Sequence, residues 1–183
     1  MKGIVFTTLI EFIADSYTQE TADDILDAAD LPSGGCYTTV ASYDYSEIIE
    51  IFSLLSKKTK TEVPNLIRRY GNYLFPRLIE IHPPFRDGIS SSLEFLKIVD
   101  NHIHVEVKKL YPDAELPTFD FTELGPDSLL LTYRSSRPLG DLAHGLIEGC
   151  GVYFDELLKI EREDFNDELP GQVNFRISRI EKS

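Results

Sequence analysis

The hydrophobic rhythm of the chain changes at Pro112, and that change most limits the folds open to it. Before Pro112, apolar residues recur at spacings of three and four, the period of helices with one buried face. After it, "TFDFTEL" alternates, and "SLLLTYRSSR" is an apolar run with a polar end; the "GPD" between them is a turn. Further on, "PLGDLAHGLIEGCGVYFDELL" returns to helix, with Leu142, Leu146, Cys150 and Phe154 in one line. In the tail, Val173, Phe175 and Ile177 alternate with polar residues, and "LLKIERE" supplies a partner strand around "NDELPG". The expected class is α/β in the α+β sense: a helical N-terminal part, then about four antiparallel strands with a helix inserted. The expected division is a helical subdomain over 1–62 and a subdomain over 63–183 that holds the long helix and the sheet.

The helical part reads element by element. Residues 3–17 place Val5, Leu9, Phe12 and Ile13 on one face, and 20–30 form a short helix stopped by "LPSGG". Ser46 stands as an N-cap before a helix whose first turn carries Glu47 and Glu50, where the helix dipole favours acids. "TEVPNLIRRYGNYLFPRLIEI" is a further helix, with a kink expected near Pro76. "HPPFRDG" breaks it. Residues 89–111 are the longest periodic segment, with Leu96, Val99, Ile103, Val107 and Leu110 as its apolar stripe.

Composition removes several functions. A chain of 183 residues with 42% hydrophobic content can bury a substantial core. Its net charge of −13 repels phosphate backbones, which argues against nucleic acid as a partner. No stretch reaches the ~18 apolar residues of a membrane span. Glu11 and Asp15 interrupt the N-terminal apolar stretch, so it reads as an amphipathic helix of the domain and not as a leader. Cys36 and Cys150 are the only cysteines, as expected of a reduced cytoplasmic chain, and neither forms a CxxC pair.

Three features are candidates for chemistry. His102 and His104 stand two apart on a helix, so they cannot face one another. At roughly 100° per residue they fall on opposite shoulders of the stripe centred near Ile103. Asp100, Val107 and Tyr111 share the shoulder of His104, which the wheel favours slightly as the more buried. The plainer reading of both is a helix-surface histidine. A lone histidine would suit a haem iron, whose in-plane ligands come from the porphyrin. In "YRSSR", an extended chain points Tyr133, Ser135 and Arg137 the same way, a set suited to a carboxylate or phosphate. The plainer reading is a polar strand edge. Gly145 and Gly149 lie one turn apart on the late helix, so either something bulky or a second helix packs against its backbone. Cys150 reads as an inert core thiol, and His82 and His144 as loop and surface residues.

Taken in order, these motifs resemble the haem nitric oxide/oxygen-binding family, H-NOX, in its stand-alone bacterial form. His104 is followed thirteen residues later by Pro117, across "HVEVKKLYPDAELP", and Tyr133, Ser135 and Arg137 come after it. His102 would put Glu115 at the proline position and fails. The resemblance covers essentially the whole chain. It implies haem b buried between the two subdomains, with His104 as proximal iron ligand. Tyr133, Ser135 and Arg137 would hold the propionates, and Pro117 would distort the porphyrin. Val5, Leu9, Leu74, Phe75, Leu78, Leu142 and Leu146 would line the distal side, with Leu142 where oxygen-binding members carry a tyrosine. All are apolar, so the resemblance implies a sensor of NO (and CO) that excludes O2, not an enzyme. Tyr73 and His144 are the polar residues that a shift of one position would bring into the pocket. Signalling would follow weakening of the bond between iron and His104, passed to a histidine kinase or a cyclic-di-GMP-metabolising enzyme. The rival readings are an O2-binding member of the same fold and a haem-free regulatory module for an apolar ligand or a protein.

Overall fold

The computed structural model describes residues 1–137, 139–165 and 171–181. The elements run α1 (Gly3–Ser16), α2 (Gln19–Ala28), α3 (Ser46–Thr59), α4 (Val63–Ile81), a 3₁₀ turn (Pro83–Arg86) and α5 (Ser92–Ile98). A π-helical turn (Val99–Ile103) and α6 (His104–Leu110) follow, then β1 (Thr118–Gly125), β2 (Ser128–Arg134), α7 (Gly140–Tyr153), β3 (Leu157–Asp164) and β4 (Gln172–Ile180). The strands form one antiparallel sheet in the order β1-β2-β4-β3. The architecture is α+β, with the change of rhythm at Pro112 marking where helices give way to strands. The "NDELPG" turn falls mostly on residues 166–170, outside the described residues.

Alternation decides which face of the sheet is covered. Leu129, Leu131 and Tyr133 of β2 pair directly with Ile177, Phe175 and Val173 of β4, and all six are buried. The covering layer is α7, α5 and the π turn, through Ala143, Ile147, Cys150, Leu93, Phe95, Leu96 and Ile103. A second core lies among α1–α4, around Phe6, Leu9, Phe12, Ile51, Phe52, Leu66, Tyr70 and Leu74. Helix α4 serves both: Leu66, Ile67, Tyr70 and Leu74 face the N-terminal core, while Phe75 and Ile79 face the sheet-side core.

α4 and α7 approach backbone to backbone. A Cβ on Gly145 would collide with the Arg68 carbonyl, one on Gly71 would lie 2.6 Å from the Leu142 carbonyl oxygen, and one on Gly149 2.7 Å from the Asn72 carbonyl oxygen. The glycines of α7 therefore admit a helix.

Three local details differ from the sequence expectation. Ser46 is the first helical residue of α3 and not its N-cap, which is Tyr45 without a side-chain cap; the Asp44 carboxylate, one residue before, accepts the Ser46 N–H at 2.8 Å. Glu47 is not solvated in the first turn; it is buried and accepts hydrogen bonds from the Ser33 and Tyr37 hydroxyls. The 89–111 segment is interrupted by the π turn, whose i→i+5 bonding inserts one residue into the helical repeat. The apolar stripe consequently drifts: Leu96 and Ile103 are buried, Val107 is half-buried, and Leu110 is 56% exposed.

Candidate haem site

His104 opens α6 directly after the π turn, and its N–H bonds the Val99 carbonyl across that turn. Its side chain is 17% exposed, whereas His102 is an exposed residue. Nδ1 of His104 is buried without a hydrogen-bond partner. Asp100 Oδ1 stands 3.6 Å away, beyond hydrogen-bonding distance. Burial holds the imidazole pKa below its ordinary value; the Asp100 carboxylate and the Pro117 carbonyl oppose that shift. The ring is therefore neutral at pH 7, the form that can ligate a metal.

A row of rings connects His104 to the sheet. Its imidazole lies 5.7 Å from the Phe119 ring, which lies 5.4 Å from Tyr133. Tyr133 is buried on β2, and burial raises its pKa while the Ser135 hydroxyl and the Arg137 charge pull it down. The Arg137 N–H donates to Ser135 Oγ at 3.1 Å. The Arg137 guanidinium, 16% exposed, grips the Glu115 carboxylate and stands 5.7 Å from the Tyr45 ring. Pro117, half-buried, sits between Glu115 and the start of β1. The structure thus groups His104, Pro117, Tyr133, Ser135 and Arg137 at one place. It adds Asp100, Glu115 and Phe119, which sequence reasoning did not single out. For Asp100 the signal was present: it stands four residues before His104, on the same helical shoulder.

The apolar candidates divide. Val5, Leu9, Leu74, Leu78, Leu142 and Leu146 belong to the N-terminal core, with Leu146 reaching the other core as well. Phe75 packs instead on Phe95 at 5.1 Å and Tyr153 at 5.8 Å. Tyr73 donates its hydroxyl to Asp15 at 2.6 Å and accepts from Arg77 at 3.2 Å. His144 is buried edge-on against Phe175, 5.6 Å away, with Nε2 unpartnered. Cys150 is a buried free thiol, its pKa pushed well up by burial.

Comparison with known proteins gives the class. A family model described as "Haem-NO-binding" matches residues 2–162. The H-NOX from Shewanella woodyi, solved with IWP-051 in the Fe(II)CO state, is 41% identical over 98% of this chain and 95% of its own, with a TM-score of 0.83. The Fe(II) unliganded H-NOX from K. algicida is 33% identical over 100% of this chain and 98% of its own, with a TM-score of 0.90. The H-NOX from S. oneidensis, solved in the Fe(II)NO state, shares the fold at a TM-score of 0.91 and 23% identity, over 99% of this chain and 100% of its own. No curated protein matches the chain. The fold and the family match together define a haem-based gas-sensor domain, not an enzyme. The chain belongs to the haem-NO-binding family, H-NOX. No helix among the described residues is long and apolar enough to cross a membrane.

The residues present suit a haem. His104 offers a largely covered, neutral imidazole. Arg137, already gripping the Glu115 carboxylate, is placed to bind carboxylate groups beside the Tyr133 and Ser135 hydroxyls.

Proposed function

We propose that this chain is an NO sensor that also takes CO, excludes O2 and reports to a separate protein. The group would be haem b, which His104 would hold through its imidazole and which would supply the gas-binding iron; release of His104 on binding NO would be the signal. Tyr133, Ser135 and Arg137 would hold the propionates by charge-assisted and hydroxyl hydrogen bonds, in place of the Glu115 carboxylate that Arg137 grips now. Pro117 would pack against the porphyrin and distort it. Val5, Leu9, Leu74, Phe75, Leu78, Leu142 and Leu146 form an apolar distal wall.

The observation that carries the exclusion of O2 is this apolar set, together with the position of the nearest phenol. A polar oxygen ligand needs a hydrogen-bond donor, and a wall of Val, Leu and Phe has none. The Tyr73 hydroxyl, the natural substitute, is engaged by Asp15 and Arg77. NO and CO depend on such a donor far less.

Residues 1–62 and 63–183 are the two parts that shift when His104 is released, a two-state element biased by ligand. Helix α4, shared by both cores, supports the reading that it carries the movement. The output goes to a cytoplasmic bacterial partner, a histidine kinase or a cyclic-di-GMP-metabolising enzyme. The net charge of −13 suits a basic patch on it.

The test is the visible spectrum of the ferrous protein under argon, air and NO. A histidine-ligated haem that air leaves unchanged, and that loses its histidine under NO, is expected. A stable oxy spectrum in air overturns the selectivity. An unchanged haem spectrum in His104→Ala overturns the ligand.

A further inference from the structure

Of the described side chains, His104 and His144 each bury a ring nitrogen without a hydrogen bond. Only for His104 does a carboxylate stand close, with Asp100 Oδ1 3.6 Å from Nδ1. That carboxylate is fixed from the other side, since Asp100 Oδ1 accepts the backbone N–H of Phe119 at 3.0 Å. Phe119 is the second residue of β1, and its ring lies 5.7 Å from the imidazole. Asp100 therefore sits between the edge strand and the histidine, tied to the first and facing the second. It lies in the π turn, a form that recurs at functional sites because it redirects side chains within a continuous helix.

We propose that Asp100 is the positioning residue of His104: its carboxylate accepts the Nδ1 proton, turns the other ring nitrogen toward the iron, and links the ligand to β1 through the Phe119 N–H. The proposal rests on the reading of His104 as the iron ligand. Closing the gap to an ordinary N–H···O length of about 3.0 Å needs only a small turn of the imidazole. A metal-bound histidine commonly donates its second nitrogen to an outer group, which fixes the ring and raises its basicity. The competing acceptor is the Pro117 carbonyl. The carboxylate is the stronger acceptor because a hydrogen bond to a charged group is shorter and stronger than one to a neutral group. The same carboxylate gives the sheet a mechanical hold on the ligand, since any movement of His104 away from Asp100 is felt at the first residues of β1.

The test uses the full haem-loaded chain with Asp100→Asn, Asp100→Glu and His104→Ala. Asp100→Asn keeps an oxygen for the Phe119 N–H and nearly the same volume, so the melting temperature of the haem-free protein serves as the folding control. The expected result is a lower iron–histidine stretching frequency in the resonance Raman spectrum of Asp100→Asn. Haem transfer to apomyoglobin is expected to be faster by about tenfold or more. Asp100→Glu, which keeps the charge, moves both readouts back toward the wild type. If Asp100→Asn leaves frequency and transfer rate unchanged while His104→Ala abolishes the stretching band, Asp100 has no such role and the ligand assignment stands. If His104→Ala leaves the wild-type spectrum intact, both fall together.

Discussion

Two histidines on helices, His104 half-buried and His144 buried, show how far surroundings decide a residue's role. His104 has a carboxylate beside it and a hydroxyl–guanidinium cluster across the Phe119 ring. His144 has Phe175 against its face, with Asp141 and Glu148 on its own helix, Arg68 on α4 and Arg162 on β3. Those four charges pair among themselves, Arg68 with Glu148 and Arg162 with Asp141, which leaves the imidazole without a partner. Burial, then the Arg68 charge, lowers the His144 pKa. The unfolded chain therefore takes up a proton near pH 6.5 that the folded chain refuses. In that window the unfolded state binds more protons, so stability falls as pH drops below about 6.5 and levels off below the folded-state pKa. His144→Phe should flatten this acid loss in urea titrations between pH 5 and 8. At pH 8 it should cost nothing, because a buried unpaired nitrogen already costs about 1–3 kcal/mol. An acid slope equal to that of the wild type would refute this account. That His104 is the more covered of the two neighbouring histidines was only faintly legible, from the helical wheel. The burial of His144 was not legible, since its polar neighbours on α7 disguise a face that only tertiary contacts with α4 and β4 define.

At the scale of elements, the glycines of α7 carry the clearest prediction. Alanine in a helix interior is favoured over glycine by about 1 kcal/mol. At Gly145 the added methyl would meet the Arg68 carbonyl, a backbone atom that cannot rotate away. Overpacking of that kind costs about 1–3 kcal/mol or more. Gly145→Ala should therefore lower the urea midpoint; a rise would mean that α4 and α7 are not in close contact in solution. The sequence pointed to something set against these glycines, and alternation revealed Val173, Phe175 and Ile177 as a covered strand face. The π turn escaped it. One inserted residue leaves the spacing of apolar positions unchanged in the sequence, yet it turns Leu110 out to solvent. The start of α3 escaped it too, because Ser46 is a good capping residue by type, yet the helix begins at Ser46 with Tyr45 as its N-cap and the Asp44 carboxylate taking the Ser46 N–H.

Across the whole molecule, the N-terminal segment is fastened to the loop that follows α6. Lys2 Nζ donates to Asp113 at 2.8 Å and lies 4.9 Å from the Tyr111 ring, and the Ser42 hydroxyl donates to the same Asp113 at 2.8 Å. Asp113 is largely exposed, so Asp113→Asn should leave global stability nearly unchanged. Amide hydrogen exchange over 111–115 should quicken nonetheless, as should exchange in the wild type when salt is raised. Unchanged protection there would show that the fastening holds nothing. The contact between α4 and α7 has another consequence. Gly71 and Gly145 meet across 74 residues of chain, so the joint cannot form until a long loop has closed, at a cost that local helix contacts do not bear. Helices α1–α3 can assemble from near neighbours, whereas the joint between the two cores is made late. The chain is thus expected to gather its N-terminal helices first and to acquire a fixed relation between its halves only as folding ends.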